Sequence, residues 1–305
     1  MRFLSYPPDV PHWEKIALIG VGLLGGSLGL AARHRSLASR VEGYVRRPQS
    51  IGECEKAGAV DKADTSLEQV VSGADLIVFC TPIAQMAGLA EQALPVLRHG
   101  CLVTDVGSVK AGVVADLEPL FARAGAHFIG SHPMAGAEKI GVAAARPNLF
   151  QGAICAVTPT AASSPKLLDR LEELWTAVGA VPLRVSPELH DDLVSRSSHL
   201  PHVVAAELAN YILSPVHPRE QGMLCANGFR DTTRIASGSP EMWRDICLAN
   251  RRNLARVLGV FIEDLQEFQL ALEQQDVKAV QEFFEQAKAR RDAWSLQTPS
   301  SPSPE

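Results

Sequence analysis

His132 stands in Gly130-Ser131-His132-Pro133-Met134, where an apolar run gives way to small residues, and it is the strongest general-base candidate among nine histidines. An imidazole changes charge near neutral pH, and small neighbours leave room for a ligand beside the ring. Ser108, in Asp105-Val106-Gly107-Ser108-Val109-Lys110, offers a hydroxyl that could orient the imidazole or hold a substrate oxygen. These two segments and Cys80-Thr81-Pro82 each begin at the C-terminal end of a predicted strand, the edge along which open parallel sheets bind ligands. An isolated histidine is more often structural, and the serine on a neighbouring loop is what favours the catalytic reading.

A redox partner for such a base is written near the start of the chain. Lys15-Ile16-Ala17-Leu18-Ile19 runs into Gly20-Val21-Gly22-Leu23-Leu24-Gly25, a G-x-G-x-x-G that passes directly into helix-forming residues. Gly20 makes the turn, Gly22 lets backbone approach a pyrophosphate, and Gly25 lets the helix pack against the strand. The phosphates would sit on the free N–H groups around Leu23, Leu24 and Gly25. Thr81, Pro82 and Ser108 are expected to line the same cofactor site. About twenty positions after Gly25, where an acid usually meets the adenosine ribose, stands Val45, followed by Arg46 and Arg47. Planar guanidinium groups suit a 2′-phosphate, so NADP is the expected cofactor, with NAD possible. The competing reading makes both arginines solvated loop charges and leaves the ribose to Glu42 or another residue.

A second cluster lies further on, in Ser197-Ser198-His199-Leu200-Pro201-His202, Gly228-Phe229-Arg230-Asp231-Thr232-Thr233-Arg234 and Met242-Trp243-Arg244-Asp245. His199 and His202 have a spacing compatible with a metal pair, but Pro201 separates them and no third ligand is evident, so no metal is expected. Arg234 has mostly small or apolar neighbours in sequence, a costly place for an unpaired cation. It calls for a substrate carboxylate or an internal ion pair to Asp231 or Asp245.

The elements that must hold these groups follow from patterning. Apolar runs at 41–45, 76–80, 101–105, 128–131, 154–158 and 181–185 alternate with amphipathic segments and read as strands of a mainly parallel sheet, a doubly wound Rossmann domain. From Pro187 the texture becomes helical, with stretches at 188–214, 219–227, 240–262 and 264–292, and with Ser239 as a helix cap. The expected organisation is an N-terminal extension (1–14), a dinucleotide-binding domain (15–186), an all-α substrate and dimerisation domain (187–294) and a disordered tail (295–305). The 305 residues are 46% hydrophobic and 21% charged, enough to build a large core. A net charge of -5 without a basic stripe speaks against nucleic acid, and no apolar run has membrane-spanning length. The N-terminus has no signal-peptide core and none of the six cysteines forms a C-x-x-C pair, so a cytoplasmic address is expected. The apolar helical faces between Leu193 and Phe284 exceed what a small Rossmann domain can cover, which points to a homodimer.

Taken together, G-V-G-L-L-G-G-S, D-V-G-S-V-K, G-S-H-P-M-A-G-A-E-K, S-P-E-L-H-D, S-H-L-P-H and G-F-R-D-T-T-R-I-A-S-G-S-P-E-M-W-R-D-I resemble the prephenate/arogenate dehydrogenase family of tyrosine biosynthesis, from about Lys15 to Trp294. The resemblance implies a Rossmann domain followed by a dimerising helical domain, with prephenate or arogenate as substrate. By motif position it implies His132 as the catalytic histidine, Ser108 as its assistant, and Arg234 as the binder of a substrate carboxylate. His202, Ser198 and Glu138 resemble further pocket residues, and Trp243 an aromatic wall. Many members have Asp where this chain has Val45, which supports NADP; Ala137 and Ile140 replace a usual Thr and Ser. With only the short tail after Trp294, any inhibition by tyrosine is expected to act at the active site. A hydroxyacid dehydrogenase would place a lysine where S-H-L-P-H stands, and a redox-silent NADP sensor would need neither base nor carboxylate clamp.

Overall fold

The computed structural model describes residues 13–136, 139 and 141–297. The glycine turn sits between β1 (Trp13–Ile19) and α1 (Leu23–His34), and the chain then alternates through β2 (Ala38–Tyr44), α2 (Gln49–Lys56), β3 (Lys62–Asp64), α3 (Leu67–Val71), β4 (Leu76–Phe79), α4 (Ile83–Ala93), β5 (Leu102–Asp105), α5 (Ala111–Arg123) and β6 (His127–Phe128). The sheet order is β3-β2-β1-β4-β5-β6, with every pairing parallel. This is the Rossmann arrangement the sequence implied. Side-chain alternation explains the unbroken apolar runs: Ile16, Leu18, Leu76 and Val78 enter the core on one face of the sheet. Ala17, Ile19, Ile77 and Phe79 enter the core on the other.

The expected single sheet is corrected in its last third. The run at 128–131 is divided between β6 and β7 (Gly130–Pro133), and β7 leaves the parallel sheet. It pairs antiparallel with β8 (Ile154–Thr158), which pairs parallel with β9 (Val181–Arg184) across α6 (Pro165–Ala177). Gly130 permits the departure, because a Cβ there would lie 2.5 Å from Thr158 Oγ1. The strand β3, too short to show a period, was not foreseen.

The helical stretch expected at 188–214 is broken. It comprises α7 (Pro187–Val194), a π-turn over Ser195–His199 and α8 (Leu200–Ile212). Pro201 has no N–H for the Ser197 carbonyl, and the turn widens until Leu200 N–H bonds the Ser195 carbonyl. Then follow α9 (Arg219–Met223), α10 (Asn227–Thr233), a 3-10 turn over Arg234–Ser237 and α11 (Pro240–Ala249), which the Ser239 hydroxyl caps as expected. One compact unit extends to Asn250, beyond the change of texture at Pro187, because α7 packs on α5 and α11 on α4.

The second unit starts at Arg251 and holds α12 (Arg251–Glu273) and α13 (Val277–Gln297). The expected break near residue 263 falls instead at 274–276, where Gln275 takes φ +54°. Phe268, Phe283 and Phe284 cluster with ring centroids 4.4 to 5.9 Å apart and join the two helices. Ser295–Gln297, expected to begin the disordered tail, continue α13. The remainder of the tail and residues 1–12 lie outside the described residues.

Candidate active site

The first part of the site is a cleft of about 640 Å³ at the C-terminal edge of the parallel sheet, bordered by Gly20, Gly22, Val45, Arg46, Arg47 and Thr81. Gly20 has φ +99°, where a side chain would be strained. A Cβ at Gly25 would lie 2.1 Å from the Gly20 carbonyl oxygen, so no other residue lets α1 start this close to β1. A Cβ at Gly22 meets nothing within 4 Å. It would project into open space just ahead of the N-terminus of α1, which has no side-chain cap and presents the N–H groups of Leu23, Leu24 and Gly25. Thr81 Oγ1 is buried without a hydrogen-bond partner among the described residues, and Pro82 directly precedes α4. An uncapped helix start, a glycine-floored hollow and a waiting hydroxyl suit a dinucleotide. Val45 is buried, while Arg46 and Arg47 are exposed on the rim. Glu42, the alternative holder of the ribose, is committed elsewhere, to Lys15 at 2.7 Å and Arg40 at 3.1 Å.

His132, on β7, is 8% exposed. Its Nδ1 lies 2.8 Å from His190 Nε2. His190 Nδ1 lies 2.8 Å from Asp191 Oδ1. The Asp191 carboxylate also accepts from the Lys110 N–H at 2.7 Å and the Ala111 N–H at 2.9 Å, capping α5 from across the fold. Beneath this chain of contacts Lys110 is wholly buried and ion-paired with Asp105, whose carboxylate also accepts from the N–H groups of Gly107 at 2.8 Å and Ser131 at 3.2 Å. Burial holds the His132 pKa well below the ordinary histidine value, and His190, Lys110 and His199 reinforce the shift. The ring is therefore neutral at physiological pH. Ser108 is half-buried on the loop between β5 and α5, and no hydrogen bond among the described residues joins it to His132.

The second cluster gathers round Trp243. His202 stacks on the indole with centroids 3.7 Å apart and donates from Nδ1 to the Ser198 carbonyl at 2.8 Å. Burial lowers the His202 pKa, the Ser198 carbonyl opposes the shift and Arg234 adds to it, which locates the Arg234 charge near this ring. Arg234 itself is exposed at the start of the 3-10 turn. The premise that it sits in apolar surroundings is thus corrected: its side chain is exposed, and desolvation imposes little cost there. Asp245 pairs with Arg244 at 2.7 Å. His199 is fully buried, with Nδ1 3.1 Å from Asn250 Nδ2, and its Nε2 meets no partner in hydrogen-bond geometry among the described residues. Glu138 lies outside the described residues. No group of three metal-ligating side chains occurs among the described residues.

His190, Asp191 and Asn250 were missed as site residues. S-P-E-L-H-D stood out in the sequence, but nothing local shows that α7 will lie against α5 and bring its histidine to β7.

A dinucleotide cleft at the edge of the parallel sheet, with a buried, neutral histidine on the strand that follows the last strand of that sheet, defines a dehydrogenase of the Rossmann class. Residues 28–183 match the family model for the prephenate dehydrogenase nucleotide-binding domain, and residues 186–286 match its dimerization domain. The chain belongs to the prephenate dehydrogenase family. It is 35% identical to the prephenate dehydrogenase of Bacillus subtilis over 93% of this chain and 76% of that protein. It is 30% identical to the cyclohexadienyl dehydrogenase of Zymomonas mobilis over 92% and 95% of the two chains. The A. aeolicus prephenate dehydrogenase, solved with hydroxyphenyl propionate and NAD+, superposes with a TM-score of 0.86 at 32% identity, covering 92% of this chain and 98% of that one.

Proposed function

We propose that this dehydrogenase converts prephenate to 4-hydroxyphenylpyruvate and CO2, with NADP+ preferred to NAD+. The observation that carries the reading is the buried, neutral His132 on β7, directly after the last strand of the dinucleotide-binding sheet. The ring takes the substrate hydroxyl proton at Nε2, while Ser108 holds or orients the oxygen. When bound, the nicotinamide supplies the acceptor for the hydride leaving the carbinol carbon. Loss of CO2 makes the ring aromatic and the reaction irreversible. Arg234 binds a substrate carboxylate, His202 and Ser198 line the pocket, and Trp243 forms its wall. The hollow at Gly20, Gly22 and Gly25, the N–H groups of Leu23 and Leu24, and Thr81 and Pro82 hold the cofactor. Arg46 and Arg47 supply donors to a 2′-phosphate, with Val45 leaving the ribose no carboxylate.

The reading assigns 15–186 to the cofactor and 187–294 to substrate and dimerisation. Leu213, Val216, Leu224, Leu265 and Leu272 are each at least 46% exposed, apolar surface that a homodimer would bury. All six cysteines are free thiols, in keeping with a cytoplasmic address, and no helix among the described residues is long and apolar enough to cross a membrane.

The likeness to a cyclohexadienyl dehydrogenase favours a second reading, in which arogenate is also accepted and Glu138 meets its ammonium group. Absorbance at the reduced-nicotinamide band, with prephenate, arogenate or neither, tests both readings. Cofactor reduction with prephenate is expected; its absence with prephenate removes the first reading, and its absence with both substrates removes both. A sedimentation value for a dimer at micromolar concentration is the matching expectation for assembly.

A further inference from the structure

The contacts behind His132 have a consequence that the proposed reaction does not by itself require. A carboxylate only accepts hydrogen bonds, so the 2.8 Å contact between Asp191 Oδ1 and His190 Nδ1 puts a proton on that nitrogen. Asp191 cannot turn away, because the Lys110 and Ala111 N–H groups at 2.7 and 2.9 Å hold its two oxygens. In a neutral His190 the lone pair is then on Nε2, 2.8 Å from His132 Nδ1. That nitrogen must be the donor of the pair. His132 is left with its lone pair on Nε2.

The opposite assignment requires a charged His190 and leaves His132 with a proton on Nε2, where it could not act as a base. That cation would have Asp191 as its counter-ion, but it would bury one more charge beside Lys110. Asp105, the carboxylate nearest that lysine, is fully engaged by Lys110 and by the N–H groups of Gly107 and Ser131.

Resting on the reading of His132 as the base, we infer that His190 and Asp191 are positioning residues: Asp191 orients His190, and His190 locks His132 in the Nδ1–H tautomer that makes Nε2 the acceptor. The proton balance closes. The substrate hydroxyl proton bonds to His132 Nε2, and the Nδ1 proton moves toward His190 Nε2 along the contact between them. The positive charge is then drawn toward the Asp191 carboxylate. Isolated imidazoles favour the Nε2–H form, so this lock works against the intrinsic preference of the ring. His190 never touches substrate in this scheme.

The tautomer can be read without turnover, from 15N chemical shifts of histidine-labelled protein, with His132→Gln used to assign the signals. The wild-type ring is expected to give a protonated Nδ1 and an unprotonated Nε2. In His190→Leu the signals should move toward the Nε2–H form, and kcat should fall by about ten- to a hundredfold, less than the loss known for a fully wrong tautomer. KM for prephenate and Kd for the cofactor should stay within about threefold, since neither ligand meets His190. His190→Gln, whose carbonyl can accept from Nδ1, should restore kcat to within about fivefold of wild type. A wild-type His132 in the Nε2–H form overturns the inference, and so does a folded His190→Leu enzyme with unchanged kcat. If instead neither prephenate nor arogenate is oxidised by the wild type, the functional reading fails while the tautomer remains measurable.

Discussion

Acidification should destabilise this fold through His199, by an amount that follows from its surroundings. The ring is fully buried, and burial, opposed by Asp191 and the Ser108 backbone and aided by His190 and His202, lowers its pKa from 6.5 to about 4. The unfolded chain therefore binds a proton at this side chain below pH 6.5, while the folded chain resists it until about pH 4. Stability is lost as the pH falls through that window and is fully present above it. Between pH 7 and pH 5 the difference in proton binding amounts to about 2 kcal/mol for this group alone. His132 and His202, with pKa values shifted in the same direction, add to the effect. Subtracting a variant isolates the His199 share. His199→Asn keeps an acceptor for Asn250 and cannot titrate, so its urea-unfolding free energy should drop by about 2 kcal/mol less than that of wild type over the same pH interval. Equal drops in the two proteins would show that the imidazole is solvated or already charged in the fold, and the burial argument would be refuted.

Three further outcomes are expected. His132→Asn should bind cofactor normally and lose on the order of 10²–10⁴ in kcat, measured by steady-state reduction of the nicotinamide; near-normal kcat assigns the proton to another group. Arg234→Gln should raise KM for prephenate by about ten- to a hundredfold with kcat changed far less, the pattern of a lost charge-assisted bond, and an unchanged KM removes it from the pocket. The wild type should favour NADP+ over NAD+ by about ten- to a hundredfold in kcat/KM, and Val45→Asp with Arg46→Asn should reverse the order. Equal constants for the unaltered enzyme would make the arginines mere loop charges.

The parallel sheet was legible because its strands are buried on both faces and read as unbroken apolar runs, and the glycine turn because its geometry tolerates so few residues. The separate sheet of β7, β8 and β9 was not, since whether an apolar strand joins one sheet or another depends on partners distant in sequence. The site divides along the same line. His132, Ser108 and Thr81 announced themselves by position at strand ends. His190 and Asp191 act through the docking of α7 on α5, and a histidine beside an aspartate on an amphipathic helix carries no local sign of it. Arg234 shows the opposite error: apolar neighbours in sequence suggested burial, yet a short 3-10 turn leaves its side chain exposed.

The π-turn at Ser195–His199 gives the rod from α7 to α8 two independent phases. An α-helix advances about 100° per residue, so one extra residue in a turn offsets everything after it by roughly that angle. The anchor of the imidazole pair, His190 and Asp191, rides on the first phase, whereas His202 and its stack on Trp243 ride on the second. Substitutions can thus reshape the stack of His202 on Trp243 without rotating the carboxylate that caps α5. Deleting a single residue of the turn would swing the buried Ala205 outward and part His202 from the indole while leaving α7 where it is. The partner of His132 and the stack on Trp243 are thereby set separately along one continuous helix-forming stretch.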